Sequence, residues 1–91
     1  MAVEIAFSFP LPGGLHARPA SRLQEEVARF RSVVTFLNRA NGASASARSV
    51  LALVATRTDQ GEPCVLHVQG EDEAAAAAAL RRFVKKELPG L

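Results

Sequence analysis

The hydrophobic period of the chain changes from two to nearly four between residues 9 and 20, and prolines and glycines fix where it changes. Upstream, Val3, Ile5, Phe7 and Phe9 alternate with Glu4, Ala6 and Ser8, the pattern of a strand with one buried face. Downstream, from Ala17 to about Arg29, Ala20, Leu23, Val27 and Phe30 recur at helical spacing. Pro10, Pro12, Gly13 and Gly14 can extend neither element, so they form a loop. Pro19 lacks an N–H and suits only the first turn of a helix. His16 therefore falls at about the N-cap, where a loop becomes a helix.

That position has chemical consequences. The first amides of a helix have no partner within it, and they lie at the positive end of its dipole. The N–H groups of Ala17 and Arg18 should point toward whatever His16 carries, forming an anion site. The Arg18 guanidinium adds a planar fork suited to phosphate oxygens. A cation in the first turn works against the dipole, so helix stability does not ask for it. An imidazole beside such a site suits a nucleophile that holds a phosphoryl group. The alternative from the same residues is a plain surface N-cap, with the anion site empty or holding a small carboxylate.

The remaining elements read less sharply. Residues 32–38 form a strand pattern with Val34 and Phe36 inward, and Asn41-Gly42 marks a hairpin loop. Ala43 to Ala47 is a weak strand of small residues. Ser49 can cap a short helix through Val54. Glu62 to Gln69 is a strand with Cys64, Leu66 and Val68 on one face and His67 on the solvent side. Glu71, Asp72 and Glu73 open a final helix, and Lys85 and Lys86 lie near its end, complementing the dipole at both termini. Pro89-Gly90 stops it. On the first helix, Arg22–Glu26 and Glu25–Arg29 stand at i,i+4, the charged face of a solvated helix. The order is strand, helix, strand, strand, helix, strand, helix. A four-stranded sheet with one apolar face and three helices argues an α+β protein in two layers.

Composition narrows the function classes. The sequence has 91 residues, enough for one domain with a modest core. A net charge of +2, no Trp or Tyr and no basic run argue against a nucleic-acid groove. No apolar run reaches the ~18 residues of a membrane span. The start, Met1-Ala2-Val3-Glu4, lacks signal-peptide character, and the single cysteine, Cys64, cannot form an internal disulfide, so a cytoplasmic location is expected. No cluster of histidines and carboxylates suits a metal ion, and no cofactor is implied.

Gly14-Leu15-His16-Ala17-Arg18-Pro19-Ala20 resembles the active-site motif of HPr, the histidine-containing phosphocarrier of the bacterial phosphoenolpyruvate-dependent sugar phosphotransferase system. Ala45-Ser46-Ala47-Arg48-Ser49-Val50-Leu51 resembles that family's second signature, at a similar spacing, and Gly70-Glu71-Asp72-Glu73 matches before the last helix. The resemblance covers nearly the whole chain. It implies an open-faced βαββαβα sandwich, a four-stranded antiparallel sheet with three helices on one face, spanning residues 1–91 as a single HPr domain.

It also implies roles. His16 would take a phosphoryl group on Nδ1 from enzyme I and pass it to a sugar-specific enzyme IIA, with Arg18 stabilising the phosphate and the backbone N–H groups of Ala17 and Arg18 binding it. Leu15, Val50, Leu51 and Val54 would form the partner face of a monomer that acts as a stoichiometric carrier rather than as an enzyme alone. In part of the family the serine matching Ser49 is phosphorylated by a dedicated kinase. A regulatory α+β module working through protein contacts or Ser49 is the alternative; the family's co-regulators without carrier function lack the histidine. One departure stands out. HPr proteins often carry lysines on the first two helices, where this chain has Glu25, Glu26 and Ala52. Weaker docking of that kind suits a covalently tethered partner. With the Phe9-Pro10-Leu11-Pro12 lead-in and the Glu87-Leu88-Pro89 ending, the chain looks like the N-terminal HPr domain of a fused multiphosphoryl transfer protein.

Overall fold

In the computed structural model, which describes residues 1–91, the period-two segment becomes strand β1 (Ala2–Ser8) and the helical pattern becomes α1 (Ala17–Val27). There follow β2 (Val33–Asn38), β3 (Ser44–Ser46), α2 (Val50–Ala55), β4 (Pro63–Gln69) and α3 (Glu73–Arg82). The strands form one antiparallel sheet in the order β1-β4-β2-β3. Ile5 pairs with Leu66, which pairs with Phe36, and Phe36 pairs with Ala45, so one row of inward side chains crosses all four strands. The three helices cover that face, and the row joins Leu23, Val27, Leu53, Ala76, Leu80 and Phe83 in a single core. The expected α+β open-faced sandwich is the fold observed.

β4 is central, and this explains Val65. Val65 lies on the outer face yet is buried, because Ala6 and Leu37 flank it on the neighbouring strands. His67, two residues on, is only half-buried on that face. Cys64 points into the core, and burial pushes its thiol up to about 11, so it is a packing residue with little thiolate at neutral pH.

Two readings of charge need correction. The i,i+4 pairs on α1 do not form: Arg22 bonds Glu25 (2.9 Å) and Glu87 (2.8 Å), and Arg29 bonds Glu26 (2.6 Å). The i,i+3 spacing wins because Arg22 turns toward the chain end and stacks on Phe83, 5.7 Å from the ring centroid. Glu26 does not sit on a solvated face; it is 8 % exposed, and Arg29 covers its carboxylate. Asp72 precedes α3 but makes no side-chain cap to it. Its carboxylate instead accepts from the Arg31 and Ser32 amides (2.8 and 2.9 Å) and the Ser32 hydroxyl. It thus fastens the turn after α1 to the start of α3. Gly70 makes room, since a Cβ there would lie 2.8 Å from the Ser32 Cα. α3 also ends differently from a simple helix: residues Phe83–Glu87 form a wide turn with i→i+5 bonding, followed by a 3₁₀ turn at Leu88–Gly90.

The hydroxyl of Ser32 and then the Arg31 amide hold the Asp72 carboxyl below its ordinary value. A depressed folded-state value stabilises the fold above the ordinary aspartate value of 3.8, and the gain is lost as pH falls through the folded-state value. Asp72→Asn should therefore lower the urea midpoint at pH 7, and the gap from the parent should narrow as pH falls below 3.8.

Candidate functional site

The loop between β1 and α1 is held by its own turns and by a second loop beneath it, residues 56–62. Phe9 N–H donates to Glu62 O (3.0 Å) and Gly61 N–H to Phe9 O (2.8 Å), which continues the β1–β4 pairing past the strand ends. Gly14 then turns the chain with φ +73°, and its N–H donates to Leu11 O (3.0 Å). Leu15 N–H donates to Thr58 O (2.9 Å). Gly14 meets this carbonyl too closely for any side chain, because a Cβ would lie 2.5 Å from the Thr58 oxygen. Gly13 plays a smaller part: its Cα side faces the imidazole, where a Cβ would lie 3.3 Å from His16 Cδ2.

His16 is the N-cap of α1, extended at φ −96° and ψ −168° and exposed. Its Nδ1 accepts the Arg18 N–H at 3.4 Å, a long and weak bond. The Ala17 amide makes no hydrogen bond within the protein, and Ala20 N–H already bonds His16 O (3.1 Å). One free amide and one weakly engaged amide therefore face the space beside Nδ1. The Arg18 side chain is exposed and enters no ion pair. By contrast Arg22, Arg29 and Arg48 are all engaged, Arg48 donating to Phe30 O (2.7 Å) and Ser32 O (3.1 Å). An amide and the positive end of the helix dipole thus stand at Nδ1, with a free guanidinium two residues on.

The expected partner face divides. Leu51 is 85 % exposed and Val54 37 %, on a helix too short to bury every side. Val50 is half-buried and packs against the core. Leu15 departs from its expected role: it is 5 % exposed and joins the core cluster. Its side chain anchors the loop so that His16, the next residue, points outward. Ser49 caps α2, its hydroxyl accepting the Ala52 N–H at 3.1 Å.

Three residues that matter for this site were not singled out from the sequence. Asn38, Thr58 and Glu62 join in a polar network under the loop, with Asn38 Nδ2 donating to Thr58 Oγ1 (3.0 Å) and Glu62 Oε1 (3.0 Å). The Glu62 carboxyl also accepts the Asp59 N–H (2.8 Å), and that bond and then Asn38 hold it below the usual carboxylate range. A signal existed. Asn38 shares inward parity with Val34 and Phe36, and a polar residue on a buried face must have partners.

Comparison with known proteins agrees with this geometry. Residues 3–86 match the family described as the PTS HPr component phosphorylation site. The chain is 42 % identical over 83 residues to multiphosphoryl transfer protein 1 of Escherichia coli (strain K12), covering 91 % of this chain but 10 % of that protein. It is 34 % identical to the HPr-like protein Crh of Halalkalibacterium halodurans, covering 93 % of this chain and 99 % of that protein. The histidine-containing phosphocarrier protein of Mycoplasma superposes with a TM-score of 0.84 at 25 % identity, covering 94 % and 97 % of the two chains. The chain thus spans about a tenth of the multiphosphoryl transfer proteins it matches. It belongs to the HPr family.

Gly14→Ala tests the seat of the loop. It combines a left-handed backbone with a collision against the Thr58 carbonyl, and it should cost about 1–3 kcal/mol in chemical denaturation. Gly42→Ala shares the positive φ but meets no atom within 4 Å, so it should cost less.

Proposed function

We propose that the chain carries a phosphoryl group on His16 Nδ1 between two protein partners of the sugar phosphotransferase system. The Nδ1 lone pair attacks the phosphorus of a phosphohistidine on enzyme I. The new N–P bond forms as the donor's N–P bond breaks, and the electron pair returns to the donor imidazole. In the second transfer a histidine of an enzyme IIA attacks in line from the open side, and His16 is the leaving group. The observation that carries this reading is the exposed N-cap imidazole with Nδ1 turned to the Arg18 amide and the Ala17 amide free. Helix end and guanidinium would each favour the bound dianion by ~0.5–2 kcal/mol, enough to poise a reversible transfer and too little to trap the phosphate.

Leu51 and Val54 supply apolar contact for both partners, with Val50 beneath them. No helix is long and apolar enough to cross a membrane. The similarity to multiphosphoryl transfer proteins supports reading residues 1–91 as one HPr domain of a longer cytoplasmic polypeptide. A tethered partner meets the site at high effective concentration, so a small patch suffices.

The likeness to Crh favours a second, compatible reading in which Ser49 takes a phosphate. The Ser49 hydroxyl stands at the start of α2, two residues from Leu51, so added negative charge there would fall beside the docking patch.

Incubation with enzyme I, phosphoenolpyruvate and magnesium should add about 80 Da, in an acid-labile and alkali-stable linkage. His16→Ala should abolish the gain; a gain that survives in this variant refutes the assignment. Arg18→Ala should slow transfer on the order of tenfold to a hundredfold without altering the unfolding midpoint. Leu51→Ala should change stability by no more than about 0.5 kcal/mol and raise KM for the phosphorylated donor. Ser49→Asp should raise that KM further.

A further inference from the structure

The side chain of Asn38 is wholly buried and uses all of its hydrogen-bonding capacity. Nδ2 donates to Thr58 Oγ1 and Glu62 Oε1, each at 3.0 Å, and Oδ1 accepts from the amides of Ala40 (2.8 Å) and Asn41 (3.4 Å). Thr58 Oγ1 accepts from Asn38, so its own hydrogen is free for Thr56 Oγ1, 2.8 Å away. Thr56 Oγ1 in turn donates to Leu53 O (2.7 Å), in the last turn of α2. A single chain of hydrogen bonds thus runs from the end of β2, through residues 58 and 56, into the helix that displays Leu51 and Val54. Each link fixes the direction of the next, and no buried side-chain polar atom is left without a partner.

The same Thr58 faces the other way with its carbonyl, which holds Leu15 N–H and abuts Gly14. Leu15 is buried and cannot shift independently, and His16 follows it directly. Thr58 therefore sits between the docking helix and the imidazole. Its side chain is fixed from the α2 and Asn38 side, and its backbone fixes the loop that carries His16. The Leu15 N–H bonds only Thr58 O, so a displacement of residue 58 is passed directly to the residue before the imidazole.

We propose that Asn38 is a positioning residue for phosphoryl transfer, acting through Thr58 to set His16 against the α2 docking patch. The proposal rests on the phosphocarrier reading above. In-line transfer between two proteins needs the attacking nitrogen at a fixed place relative to the docked surface, and a shift near 1 Å can cost about a hundredfold. Asn38 touches neither phosphate nor partner, so its loss should leave docking intact and slow the step that follows.

The test uses the intact chain with three variants. Thr58→Val keeps the shape and the carbonyl but removes the hydroxyl. Asn38→Asp replaces the donor with a carboxylate facing Glu62. Thr58→Ser restores the hydroxyl. Rapid-quench transfer from phosphorylated enzyme I gives kcat and KM, and ring ¹⁵N spectra of His16 report the Nδ1 environment with no partner present. Thr58→Val and Asn38→Asp should lower kcat about tenfold with KM within about twofold of the parent, and should shift the Nδ1 signal. Thr58→Ser should return both to the parent values. Equal kcat in the parent and Thr58→Val, or a change in KM alone, overturns the proposal, whatever happens to stability. Where Asn38→Asp does not fold, Thr58→Val decides. If the parent takes no phosphoryl group, the carrier reading fails by itself. The ring spectra then judge the positioning claim, and unchanged Nδ1 signals in Thr58→Val overturn it.

Discussion

One carbonyl oxygen stands at the centre of the contacts that seat the His16 loop. Thr58 O accepts the Leu15 amide and stands so close to Gly14 that only a residue without a Cβ fits. The contact joins segments more than forty residues apart, and it turns two otherwise irregular loops into one rigid corner. Residues 8–10 tie to residues 60–62 on one side of it, through Phe9, Ser8 and Gln60. The start of α1 rises on the other side. The loop is thus tied by several backbone hydrogen bonds, while the His16 ring stays exposed.

Charge in this protein separates into two kinds. Arg22, Arg29 and Arg48 are committed to the fold, gripping Glu25, Glu87, Glu26 and the carbonyls after α1. Arg18, like Arg39, Arg57, Arg81, Arg82, Lys85 and Lys86, has no side-chain partner inside the chain, but of these it alone lies in the first turn of an α-helix. It also stands where the helix dipole disfavours it. A group that stability opposes and that the fold leaves free fits the proposed role of meeting an external anion. His16 and Ser49 both cap a helix, but the serine hydroxyl holds the Ala52 amide at 3.1 Å while the imidazole holds the Arg18 amide only at 3.4 Å.

The sequence revealed most where a residue's role is local. Pro19 and the change of period put the start of α1 at Ala17, and the structure starts it there, with His16 as the cap. The alternating strands and their inward residues were readable for the same reason. What escaped depends on distant partners. Arg22 looked like a neighbour of Glu26 until the chain end brought Glu87 and Phe83 beside it. Asp72 looked like one of three acids set against the helix dipole; its bond to Ser32 joins residues 40 positions apart. Leu15 belongs to the partner face that the resemblance implies; only the tertiary fold shows the core beneath it. The Asn38 network joins three segments, and no window along the chain contains all of it.

The wide turn at the end of α3 has a consequence for how the chain tolerates changes in length. The Leu88 amide reaches back five residues to Phe83 O, so the segment holds one residue more than a regular turn needs. That surplus rotates the tail until Leu88 re-enters the core and Glu87 meets Arg22. Upstream of Phe83 the helix keeps its ordinary phase, with Ala76, Ala77 and Leu80 inward. The wide turn therefore works as a slack coil: removing one residue among 84–86 would tighten it to ordinary α pitch and leave the upstream face undisturbed. A deletion within the alanine tract would instead turn every later side chain by a full 100° step. Length variation in descendants of this sequence should accordingly collect in the last two turns and spare the alanines.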